Sequence, residues 1–301
     1  MNIQQLNTHY GIAGQLKIIE GKGGFPVIAI ENSKATALIS IYAGQVLSFQ
    51  PVGESADLMF VSENAYYKTG KATKGGIPIC WPWFGPDPEG LGRPSHGFVR
   101  NRMWQMQGTE ITSAGDTKVT LAVTTSDETR EIWPYDFALT LEITVGAKLT
   151  VALITQNKGD EVVSITQALH TYFTIGDINQ VKVLGLEDTT YLDKVDDGAQ
   201  KDQVGAVTVS AEVDRIYTLV PSELVIDDPT LGRHIRITTE GSQTTIVWNP
   251  WAEISTKMAD LADDDYKSFI CLETANAADE VIKISPGSEY RLQATYMIEH
   301  S

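Results

Sequence analysis

Two histidines and two carboxylates in this chain have neighbours unlike ordinary surface. His170 lies in the apolar and aromatic run Gln167-Ala168-Leu169-His170-Thr171-Tyr172-Phe173, and Glu273 ends the apolar run Phe269 to Leu272. A histidine, with an unperturbed pKa of about 6.5, carries a transferable proton near neutrality. A carboxylate is ionised at pH 7 and accepts one. In an apolar run it must be paired or functional, because a lone buried charge is costly. His96 stands in Ser95-His96-Gly97-Phe98-Val99-Arg100-Asn101, where a ring and a fixed cation flank a glycine. The planar fork of Arg100 suits phosphate or carboxylate. Asp214, in Glu212-Val213-Asp214-Arg215-Ile216-Tyr217, reads as a turn residue or as a partner for a sugar hydroxyl. Each residue alone also fits a structural role, and no spacing rule links positions so far apart.

Two further segments depart from plain scaffold. Lys74 opens Lys74-Gly75-Gly76-Ile77-Pro78-Ile79-Cys80-Trp81-Pro82-Trp83-Phe84-Gly85-Pro86. Paired glycines and repeated prolines make a poor regular strand, since proline cannot donate to a ladder. They make a rigid loop that either covers an open end of the fold or brings its backbone close to a ligand. The other segment is Trp248-Asn249-Pro250-Trp251. Trp81, Trp83, Trp104 and Trp251 are candidates for an aromatic wall against a ligand, with packing as the alternative for each.

Strands must position these groups. Phe137, Leu139, Leu141, Ile143 and Val145 alternate with mostly polar neighbours; Leu149, Val151 and Leu153 resume the pattern after Gly146-Ala147-Lys148, which reads as a hairpin. The same period of two recurs at Val181/Val183, Ile235/Ile237 and Tyr290/Leu292/Ala294/Tyr296. One apolar face and one polar face suit antiparallel sheet laid on a core. Helical signals are few; the acidic stretch 257–267 is the best candidate, as a surface turn or helix. No linker or repeat divides the chain, so an all-β sandwich forming a single domain over residues 1–301 is expected.

The chain of 301 residues is 42% hydrophobic, enough for a large core. Its 23 Lys+Arg against 39 Asp+Glu give a net charge of -16, which repels nucleic acid and anionic membrane. No secretory leader and no membrane span is read from the sequence, and Cys80 and Cys271 are expected as free thiols in the cytoplasm. A monomer is expected.

In this order, the blocks resemble the hexose-6-phosphate mutarotase (glucose-6-phosphate 1-epimerase) branch of the aldose 1-epimerase family. The carrying blocks are the loop from Gly75, the block from His96, residues 169–173, residues 213–217, the block from Trp248, and residues 271–274. The resemblance implies a β-supersandwich of large antiparallel sheets and an isomerase that interconverts the anomers of a hexose 6-phosphate. It implies no metal and no cofactor, and a small sugar phosphate as partner. By the same resemblance His170 is the general acid that protonates the ring oxygen, and Glu273 is the base that takes the proton of the anomeric hydroxyl. Arg100 and Asp214 are implied as substrate contacts, and His96 as a second ring that positions the sugar.

Two positions depart from the family pattern. Arginine commonly precedes the paired glycines as a phosphate ligand, and here that residue is Lys74, a point charge rather than a fork. Glutamine often precedes the histidine of the second block, and here it is Ser95, whose shorter side chain would reach substrate through a water. Three alternatives stay open: an epimerase for unphosphorylated sugars, a glycosidase built on Asp214 and Glu273, and a carbohydrate-binding module without catalysis.

Overall fold

Two large sheets, both antiparallel throughout, make up most of the fold, and the alternating strands read from the sequence all fall in one of them. A computed structural model describes residues 1–300. One eight-stranded sheet, the back sheet, runs in spatial order Lys182–Leu184, Glu223–Asp228, Arg233–Glu240, Glu289–His300, Leu149–Asn157, Phe137–Val145, Thr117–Thr124, Gln105–Ile111. The expected hairpin is present: Phe137–Val145 pairs along its length with Leu149–Asn157, and Val145 faces Leu149 across the turn. Along Phe137–Val145 every second residue is buried and the others are half-exposed, as a sheet with one wet face requires.

The second eight-stranded sheet carries the site. Its order is Ala199–Asp202, Thr190–Asp193, Val213–Thr218, Thr244–Asn249, Phe269–Asn276, Gln167–Leu169, Ile79–Cys80, with Tyr172–Thr174 also paired to Phe269–Asn276. A four-stranded sheet, Leu16–Glu20 to Gln45–Pro51, precedes both. Apolar residues of the two large sheets share one core, Leu141, Leu153, Ile237 and Leu292 from one and Val213, Tyr217, Ile270 and Leu272 from the other. Each such side chain removed from water contributes about 1.5–3 kcal/mol. Polar ties cross the same space: Thr171 Oγ1 and Tyr296 OH are 2.8 Å apart, and Trp81 Nε1 donates to Thr155 Oγ1 at 2.9 Å.

The helices are short and not where the sequence best suggested. The stretch 257–267 forms turns ending in a single 3₁₀ turn, Asp265–Lys267, and the nearby α-helix is Trp251–Ser255. Two others, Ile3–Tyr10 and Asp127–Ile132, went unread although each begins with a reciprocal side-chain cap, Asn2 with Gln5 and Ser126 with Thr129. Among the described residues no helix is long and apolar enough to cross a membrane.

Candidate active site

Strand register assembles the wall of the site. Ile216 lies opposite Ile246, and Ile246 opposite Glu273. One step along, Asp214 lies opposite Trp248, Trp248 opposite Cys271, and Cys271 opposite Tyr172. Successive side chains on a strand point to opposite faces, so these two rows share the face turned away from the core that holds Val213, Tyr217 and Leu272. Phe269–Asn276 is buried at every position. Its outward face is roofed by loops, and the roofed space is a cleft of about 590 Å³, a typical size for a small-ligand site.

The seven polar and charged candidates from the sequence all line this cleft: Lys74, Ser95, His96, Arg100, His170, Asp214 and Glu273. His170 and Glu273 meet directly, with Nε2 3.3 Å from Oε1. The His170 ring stacks on Tyr172, centroids 4.9 Å apart and planes 8° apart, and Trp248 meets it edge-on at 6.1 Å. The opposite atoms, His170 Nδ1 and Glu273 Oε2, are buried and have no hydrogen-bond partner among the described residues. Leaving such atoms unsatisfied costs free energy that a ligand or water recovers.

Burial sets the protonation of the pair. It holds the Glu273 carboxyl well above its usual range, aided by the Asp214 charge and opposed by Arg100. It holds the His170 imidazole well below, aided by His96, Arg100 and Lys74. Both shifts favour the neutral form of each group. Asp214 is also raised, to about 6, chiefly by burial, with Lys194 opposing and the carboxylates Glu212 and Asp193 assisting.

The facing wall comes from the glycine-rich loops. Gly76 has φ +61°, and a Cβ there would lie 2.0 Å from the Val46 carbonyl oxygen; at Gly97, φ +73°, it would lie 1.8 Å from that of Trp81. Only glycine permits these approaches. His96 itself has φ +63° and is held by two contacts with Gly85: its own N–H donates to the Gly85 carbonyl at 2.7 Å, and Gly85 N–H donates to Nδ1 at 3.3 Å. With Nδ1 an acceptor, the proton of the neutral ring sits on Nε2. The ring stays neutral because burial, then Arg100 and Lys74, lower its pKa to about 3. Its centroid is 5.8 Å from that of His170. Arg100 Nη2 donates to the Ser95 carbonyl at 3.1 Å. Lys74 Nζ stands 3.7 Å from Asp260 Oδ2 and 5.9 Å from the Trp248 ring centroid.

The tryptophan wall is a correction. Trp81, Trp83 and Trp104 are buried in the core rather than lining the cleft. Their indole N–H groups are spent on Thr155 Oγ1, the Pro94 carbonyl and the Val99 carbonyl. Trp251 packs against Tyr266. The cleft's tryptophan is Trp248, which sequence reasoning did not select. Tyr172, Lys194 and Met258 also line it and were not selected. Trp248 was legible in principle, because once its strand is paired with Val213–Thr218 it must share a face with Asp214. Lys194 and Met258 sit in a 3₁₀ turn and a loop, where no periodicity marks a direction.

Comparison with known proteins agrees with this architecture. The family model for aldose 1-epimerase matches residues 26–297. A candidate glucose-6-phosphate 1-epimerase of Escherichia coli K12 is 35% identical over 254 residues, 84% of each chain. A relative with the same designation from Cenchrus ciliaris is 33% identical over 285 residues, 91% of this chain and 85% of its own. The crystal structure of a candidate mutarotase from Salmonella typhimurium matches with a TM-score of 0.90 over 99% of both chains, at 32% identity. With the family model spanning most of its length and relatives at this level of identity, the chain belongs to the aldose 1-epimerase family.

Proposed function

We propose that the protein interconverts the α and β anomers of a hexose 6-phosphate, glucose 6-phosphate foremost, by acid–base opening and reclosure of the ring. The observation that carries this reading is the approach of His170 Nε2 to Glu273 Oε1, 3.3 Å apart, in the same cleft as Lys74 and Arg100. Ring opening removes a proton from the hydroxyl on C1 and delivers one to the ring oxygen. With a sugar between them, Glu273 as carboxylate takes the first and His170 as imidazolium gives the second. Burial favours the neutral form of each group, so forming that charged state passes a proton from the carboxyl to the imidazole. The resulting aldehyde rotates about the C1–C2 bond and presents its other face. Reclosure returns the proton from Glu273 to O1, and His170 recovers its own from the sugar hydroxyl on C5. His96 donates through Nε2 to a sugar oxygen, Asp214 accepts from hydroxyls, and Trp248 offers an aromatic face to the ring. Lys74 and Arg100 supply the charge that receives the phosphate, and Ser95 acts through its carbonyl by holding Arg100. The setting is cytoplasmic, which the unpaired thiols of Cys80 and Cys271 support.

Anomer exchange measured by NMR on glucose 6-phosphate and on free glucose, with the uncatalysed rate subtracted, tests the reading. Acceleration of glucose 6-phosphate exchange is expected. No acceleration of either sugar would contradict an enzyme and favour a binding module. A second reading, an epimerase for unphosphorylated sugars, draws support from Asp260, which offsets the Lys74 charge at 3.7 Å. Acceleration of glucose alone would select it.

A further inference from the structure

Lys74 is a cation on which phosphate recognition rests, yet its ammonium does not stand free. Asp260 Oδ2 is 3.7 Å from Nζ, with the two side chains 18% and 22% exposed for Lys74 and Asp260. That distance is beyond a hydrogen bond. The contact therefore opposes the charge of Lys74 without occupying its N–H groups. The carboxylate is also held where it is. The next residue, Leu261, is buried beside Tyr172, Phe269 and Cys271. Its carbonyl accepts from Asn64 Nδ2 at 3.3 Å, and its N–H donates to the Met258 carbonyl at 3.1 Å. Asp265, four residues on, accepts from Ser62 Oγ at 2.6 Å and from Ala262 N–H at 2.8 Å. The turn carrying Asp260 is thus pinned on the C-terminal side of that residue.

We propose that Asp260 is an affinity-setting residue, a fixed counter-charge that weakens phosphate binding at Lys74 so that the anion is retained only when an attached sugar fills the rest of the cleft. A phosphate hydrogen-bonded to Nζ lies within about 6 Å of the carboxylate, close enough for like charges to oppose each other in a partly buried site. Free inorganic phosphate has only the cations to offset that repulsion. A hexose phosphate adds the Asp214 and His96 contacts and the face of Trp248, all in the same cleft. The repulsion weakens both phosphate ligands alike, so inorganic phosphate is left with little net affinity while the sugar contacts keep the hexose phosphate bound. This proposal rests on the hexose-phosphate reading of the site.

Calorimetric titration of the wild-type protein and Asp260→Asn with inorganic phosphate, glucose 6-phosphate and glucose tests it. Asp260→Asn is expected to tighten inorganic phosphate and glucose 6-phosphate by a similar factor, roughly tenfold, and glucose by less than about twofold. Weakening of both phosphate ligands, the direction expected of Lys74→Ala, would overturn the proposal and make Asp260 a residue that positions the lysine. Unchanged affinities would overturn it equally. The Asp260 carboxylate makes no hydrogen bond among the described residues, so the amide variant is expected to fold; Asp260→Ser repeats the test should it not. Glucose 6-phosphate exchange by the wild type is read alongside. Exchange without tightening sinks the role of Asp260 alone. Absence of exchange sinks the hexose-phosphate reading, and the inorganic phosphate titration still decides the role of Asp260.

Discussion

The two large sheets are made of similar strands and put their outward faces to different uses. On the back sheet the outward positions of Phe137–Val145 are half-exposed, and Glu142 there is bracketed by Lys118 at 2.8 Å and Arg291 at 3.0 Å. On the site sheet Phe269–Asn276 is buried on both faces, and the outward carboxylate, Glu273, has a buried histidine for its neighbour and one oxygen without a partner. A carboxylate in water beside two cations is a solubility device. The same group under a roof of loops is suited to the proton-carrying role proposed for it, because burial raises its pKa well above the usual carboxylate range.

The sharpest way to break that comparison is to neutralise both carboxylates. Glu273→Gln keeps shape and removes the base, so exchange should fall by about 10³-fold or more, while sugar binding measured by calorimetry largely survives. Exchange retained in Glu273→Gln would place the base elsewhere. Next in size is the shared core: Leu141→Ala, beneath the back sheet, should cost about 2–5 kcal/mol in denaturant unfolding and leave the pH profile of the surviving activity unchanged. The third effect is one of pH. The activity should be bell-shaped, rising with pH as the His170–Glu273 pair sheds a second proton and falling as it loses the last, with both limbs belonging to the pair. A flat profile would show that the pair does not transfer the protons.

Asp214 gives a smaller and separate signal. Its pKa is raised from 3.8 to about 6, so the folded state favours the protonated acid. The stability this lends is present below about pH 4 and is lost as pH rises through about 6. Asp214→Asn should therefore raise the melting temperature at pH 8 and change it little at pH 4. Smallest of all, Glu142→Gln on the back sheet should shift stability by no more than about 1 kcal/mol and leave exchange unaltered.

What was legible in the sequence follows the same division. The back sheet declared itself through period two, because its wet face forces alternation at Phe137, Leu139, Leu141, Ile143 and Val145. The site sheet could not, because a strand buried on both faces shows no alternation; Glu273 was visible only as a charge in the wrong place. His170 and Glu273 are brought together by antiparallel pairing of segments about a hundred residues apart, which no spacing rule contains; the family resemblance supplied it. Lys74 was visible and its counter-charge was not, since Asp260 lies in an acidic loop that reads as solvated surface. The tryptophans misled for a physical reason: the rings that looked most conspicuous, Trp81 and Trp83, are the ones needed to fill space beneath the loop.

On the proposed function, buried His170 and Glu273 act as the acid–base pair that gives one proton to the sugar and takes another from it. Anomer exchange of glucose 6-phosphate, followed by NMR with the wild type and Glu273→Gln side by side, tests it most directly. Acceleration by the wild type and none by the variant, with both binding the sugar phosphate, is the predicted result. Equal acceleration by the two proteins, or none by either, would contradict it.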